Sequence, residues 1–80
     1  MNVSKAVATR ISELLKQQHL TQYRLEQNAG LSHDTLKSIM KGKAKGVNLR
    51  TIILIANGFG LTVYDFLNSP LFDYENLDLD

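Results

Sequence analysis

A helical wheel through residues 33–41 puts His33, Asp34, Lys37, Ser38 and Lys41 on one side and Leu36, Ile39 and Met40 on the other. Imidazole, carboxylate, ammonium and hydroxyl groups on an exposed helix face can read base edges or hold phosphate oxygens. A Lys37 ammonium suits guanine O6 or N7, and an Asp34 carboxylate suits cytosine N4 or a role in capping its own helix. Ser38 can serve either purpose, and His33 can donate to a base or a phosphate. Lys41, Lys43 and Lys45 continue the positive charge into a loop where Gly42 and Gly46 allow close backbone approach, so all three read as phosphate contacts. Bond-making chemistry finds no support. His19 and His33 lack metal-ligand spacing. Ser32, His33 and Asp34 are adjacent on one helix and point in different directions, which no catalytic triad tolerates.

These residues need a rigid mount, and the preceding segment supplies one. Thr21 to Gly42 reads as two short helices, about Gln22–Ala29 and His33–Lys41, joined by Ala29-Gly30-Leu31-Ser32. Gly30 suits a left-handed helix stop, and Thr21 and Ser32 are good N-caps. Leu25, Leu31, Leu36 and Ile39 are spaced to clamp the two helices together, the signature of a helix-turn-helix.

The rest of the chain reads as helical support. A first helix, Ser4–Gln18, is capped by Ser4 and carries Val7, Ile11, Leu14 and Leu15 inward; Arg10 and Lys16 read as solvated. A fourth helix starts after Asn48 and runs to about Asn57, with Leu49, Ile52, Ile53, Ile55 and Ala56 as its inner face, stopped by Gly58 and Gly60. Thr62 caps a short fifth helix with Val63, Phe66 and Leu67 inward, ended by Asn68-Ser69-Pro70. Residues 71–80 alternate apolar and acidic positions, and Leu77–Asp80 has the period of an extended segment. The division expected is residues 1–70 as the working domain and 71–80 as an acidic, apolar tail.

Eighty residues allow one small domain, and without cysteine it has neither disulfides nor thiolate metal sites. Met1–Lys5 lacks the apolar stretch of a secretory signal, and the longest apolar run, Ile52–Ala56, is far too short to span a bilayer. A net charge of +1 hides an asymmetry: all nine Lys and Arg lie within residues 1–50 beside three acids, and residues 51–80 hold five acids and no base. The first part therefore carries +6 and the second −5. A basic pole favours a polyanionic partner.

Residues Val7 to Leu67 resemble the phage-repressor-like helix-turn-helix domain, also called the Cro/C1-type or XRE-type domain. The resemblance rests on Leu20–Gln22, Leu25, Ala29–Ser32, Thr35-Leu36, Ile39 and Lys41-Gly42, and then on Leu49, Ile52, Ile55-Ala56 and Gly60–Leu67. It implies an all-α, compact five-helix bundle of the lambda-repressor-like type in which helices 2 and 3 read DNA. By position in that family His33, Asp34, Lys37 and Ser38 look like base readers. Gln22, Thr35, Lys41, Lys43 and Lys45 look like phosphate contacts, with Thr35 also able to touch a thymine methyl or fill the turn. Two departures stand out. Glu26 replaces a small residue, and must bend outward or offer its carboxylate to the start of helix 3. Leu15 and Met40 replace an ion pair of many relatives, a double change that spares either partner an uncompensated buried charge.

The resemblance implies a prokaryotic or phage transcriptional regulator, expected in the cytoplasm on nucleoid DNA, without enzymatic activity, cofactor, metal, membrane or small-molecule ligand. Members bind as dimers; Leu54, on a helix apolar around most of its circumference, and Phe72 and Tyr74 in the tail are the candidate contacts. An alternative is a protein-interaction module, such as the antitoxin of a toxin–antitoxin pair, with secondary DNA binding.

Overall fold

The computed structural model describes residues 1–44 and 46–79. Five helices follow in order: α1 (Val3–Gln18), α2 (Gln22–Ala29), α3 (His33–Met40), α4 (Leu49–Gly58) and α5 (Val63–Leu67). Two 3-10 turns, Pro70–Phe72 and Tyr74–Asn76, complete the described chain, whose one β-feature is an isolated parallel bridge between Asn2 and Asp78. The all-α, five-helix class expected from the sequence is the one found.

Each α-helix starts on a short polar side chain in extended backbone conformation that accepts from an amide three residues on: Asn2, Thr21, Ser32, Asn48 and Thr62. Four match the sequence reading; the first corrects it. Asn2 Oδ1, rather than Ser4, takes the Lys5 amide at 2.7 Å, and α1 begins one residue early. Ser4 is fully buried, and its hydroxyl donates to the Ile39 carbonyl at 3.4 Å, fastening α1 to the last turn of α3.

The core gathers Val7, Ile11 and Leu14 of α1, Leu25 and Ala29 of α2, Leu36 and Ile39 of α3, Ile52, Ile55 and Ala56 of α4, Phe59 and Phe66. Leu15 and Met40 both pack, half-buried, on this cluster, the apolar environment that their joint loss of charge requires. In α4 the inner face is Ile52, Ile55, Ala56 and Phe59, one helical stripe. Leu49 and Ile53, expected inward, are 63% and 46% exposed. Leu49 is the first residue of α4 and Ile53 lies at the edge of that stripe, so solvent reaches both.

Gly58 does more than end α4. A Cβ there would lie 2.9 Å from both Ala29 Cβ and Leu25 Cδ1, so α2 and α4 approach through the missing side chain. Asn28 Nδ2 and Gln18 Nε2 then donate to the carbonyls of Gly58 and Phe59 at 3.4 and 3.0 Å, satisfying the helix end. Gly58→Ala should lower stability by about 1–3 kcal/mol through overpacking against backbone-anchored neighbours, although such a change stabilises an open helix by roughly 1 kcal/mol. Urea unfolding measures it; an unchanged or raised midpoint would show that the two helices separate at no cost.

Arg10, expected in solvent, is a clamp. Its Nε donates to the Phe66 carbonyl at 2.8 Å and its Nη2 to the Asp65 carbonyl at 2.9 Å, closing the C-terminal end of α5. Nothing within α1 could signal this, because both acceptors lie more than fifty residues away. The tail returns to α1: Phe72 packs on the core with its ring centroid 6.1 Å from that of Phe66. Leu77 is extended (φ −111°, ψ 139°), as its alternating pattern suggests, and the Asp78 amide donates to the Met1 carbonyl at 2.8 Å. Asp80 lies outside the described residues.

Candidate nucleic-acid interface

The turn between α2 and α3 is built residue by residue. Gly30 closes α2 in the left-handed region (φ 69°, ψ 31°), where a side chain would be strained. The Gly30 and Leu31 amides both donate to the Glu26 carbonyl. Ser32 then re-enters extended backbone, and its Oγ accepts from the Thr35 amide at 3.2 Å. Leu31 drops half-buried onto the core. The polar positions of α3 are thereby fixed in direction: Leu36 and Ile39 are buried, and His33, Asp34, Lys37 and Ser38 are all exposed along the opposite side.

Asp34 sits in the first turn of α3 and Lys37 in the last, each the sign that the helix dipole favours at its end. Asp34 and Ser38 also border an open cleft of about 360 Å³ between α3, the following loop and the start of α4, with Val47, Asn48 and Thr51 on its far side. Of the expected phosphate contacts, Gln22 is exposed as the first residue of α2, Lys41 is exposed as the C-cap of α3, and Lys43 is exposed in the loop. Lys45 lies outside the described residues. Thr35 is exposed, but its hydroxyl is 2.8 Å from the Ser32 hydroxyl and belongs to the cap.

Glu26 resolves the less comfortable of the two departures. It is buried, and its Oε2 lies 2.9 Å from Nδ1 of His33, the first residue of α3. Of the two options open to it, offering its carboxylate to the start of helix 3 is the one taken, through the imidazole. Composition and periodicity could not reveal this pair, since its members lie on different helices; the only hint was a large acid where a small residue is usual.

Among the expected dimer contacts, Leu54 is half-buried, Phe72 packs on the core and Tyr74 is 79% exposed. Among the described residues no group of three or more His, Asp or Glu is placed to hold a metal ion, and no helix is long and apolar enough to cross a membrane.

The family model of the Cro/C1-type HTH DNA-binding domain matches residues 10–70, which takes in α2, the turn, α3 and every residue of the exposed polar face. This chain belongs to the Cro/C1-type helix-turn-helix family. Its Cro/C1-type fold is similar to the crystal structure of the prophage Lp1 protein 11, with a TM-score of 0.79 and 29% identity over 91% of this chain and 99% of the other. No curated protein matches it. Membership makes the chain a DNA-binding regulator and α3 the helix that such a domain offers to DNA.

Proposed function

We propose that this Cro/C1-type chain is a sequence-specific repressor that binds operator half-sites as a dimer and acts by occupancy, blocking or guiding polymerase. The observation that carries this reading is the exposed polar side of α3, held rigidly by a turn whose every residue has a conformational role. Residues 1–70 form the DNA-binding unit, with 71–80 as its tail. His33, Asp34, Lys37 and Ser38 read bases; Gln22, Thr35, Lys41, Lys43 and Lys45 hold phosphates. The place of action is nucleoid DNA in the cytoplasm.

Selection of bound fragments from random DNA, read by sequencing, tests this directly, since it reports binding, half-site symmetry and spacing together. Half-sites one helical turn apart support the dimer; unpaired sites would overturn it. Lys37→Ala and Ser38→Ala should change the preferred sequence, by about 1–3 kcal/mol at one position, whereas Lys43→Ala should weaken all sequences alike. An equal loss across sequences for Lys37→Ala would demote it to a phosphate contact.

Dimerisation draws on Leu54 and Tyr74, with exposed Ile53 beside Leu54 adding apolar area, while Phe72 is engaged with Phe66 inside the protomer. A second reading, an antitoxin-like module, is favoured by the same observation: Leu49 and Ile53 leave an apolar stripe on α4 that a protein partner could cover. A small toxin-like reading frame next to the gene, and co-purification of its product, would favour that reading.

A further inference from the structure

We propose that Glu26 sets the hydrogen-bonding character of His33, so that His33 reads an amine-bearing base, adenine or cytosine, as an acceptor. The inference rests on the DNA-binding reading above and adds the identity of one contact.

Glu26 Oε2 and His33 Nδ1 are 2.9 Å apart, with the Glu26 side chain 10% exposed and the His33 side chain 67% exposed. An ionised carboxylate only accepts hydrogen bonds, so the proton between them belongs to Nδ1. In a neutral imidazole the other nitrogen then carries a lone pair and no proton. Nε2 has no hydrogen-bond partner among the described residues, and it belongs to the first residue of α3, on the exposed side that carries Asp34 and Lys37.

This narrows what the sequence left open. By residue type alone His33 could donate to guanine or a phosphate. Held by Glu26 in its neutral form, its outward nitrogen is an acceptor, and the major-groove groups that donate to it are adenine N6 and cytosine N4. It is mismatched to guanine N7 and O6, to thymine O4 and to phosphate, which are all acceptors. Glu26 is thus a positioning residue that acts on specificity without touching DNA. A tolerated carboxylate where small residues are usual has, on this reading, a recognition purpose.

The test has two arms. Long-range 1H–15N NMR of the free protein at pH 8 distinguishes imidazole tautomers, and His19, exposed and without a side-chain partner among the described residues, is the reference in the same spectrum. His33 should show the Nδ1–H form in wild type and change to the form of His19 in Glu26→Ala. An Nε2–H form of His33 in wild type, or an imidazolium at that pH, would overturn the proposal without touching DNA binding. In the second arm, sequences selected by wild type should carry adenine or cytosine at the position under the start of α3. Glu26→Ala should lose that preference by about tenfold while keeping those under Lys37 and Ser38. A preference for guanine or thymine there in wild type, or one unmoved by Glu26→Ala, would refute it. Failure of wild type to retain any DNA would refute the function proposed above and leave the tautomer result to stand alone. Should Glu26→Ala unfold, the wild-type spectrum and wild-type selection still decide.

Discussion

Phe66→Ala should cost about 3–5 kcal/mol, a large part of the roughly 4–12 kcal/mol available to a domain of this size. Phe66 is fully buried and heads the largest buried side chains. It is the single buried residue of α5, a helix of five residues that is too short to persist without an anchor. The neighbours that depend on it multiply the loss. The Arg10 guanidinium lies 6.0 Å from the ring centroid and hydrogen-bonds the Phe66 carbonyl, and the Phe72 ring centroid is 6.1 Å away. Removing the ring leaves a cavity and frees the segment that holds the tail against α1. Thermal unfolding should move down by roughly 15–30 °C, with Phe66→Leu falling between the variant and wild type. A fall of only a few degrees would mean that α5 is held by its cap and by Arg10 alone.

DNA affinity should fall about a thousandfold between 50 and 200 mM salt. Three loop and helix-end lysines per protomer, Lys41, Lys43 and Lys45, provide about six phosphate contacts in a dimer, and each contact releases nearly one counterion. The logarithm of affinity plotted against that of salt concentration should therefore slope near −5. Lys43→Ala should flatten the slope by about 2, one contact from each protomer, at an unchanged preferred sequence. Fluorescence anisotropy over a salt series measures both. A slope near zero would remove nucleic acid as the partner, and an unchanged slope in Lys43→Ala would take that lysine out of the interface. The concentration of positive charge in the first fifty residues, with five acids in the remainder, gives the domain a preferred way to approach a polyanion.

The helix-turn-helix was legible from residues alone because its signals are local. Thr21 and Ser32 cap within three residues, Gly30 meets a backbone demand of its own, and Leu25, Leu36 and Ile39 declare an inner face through periodicity. From those signals the exposure of His33, Asp34, Lys37 and Ser38 follows. The family pattern carried its reading from α1 to α5 for the same reason: it is a series of local signals in a set order.

What stayed hidden joins residues far apart. Periodicity shows that α4 has too many aliphatic residues for one face, but the choice of Leu49 and Ile53 as the exposed ones depends on where α2 and α5 lie. Gly58 reads as a helix stop until Ala29 and Leu25 are placed against it. Arg10 reads as a solvated cation until the carbonyls of α5 arrive beside it. By itself the sequence determined the five helices, the caps of the last four, the turn and the polar face of α3, because each depends on contacts within a few residues. Only the tertiary structure decided that Glu26 holds His33, since a hydrogen bond between two helices exists only once packing has set the distance between them.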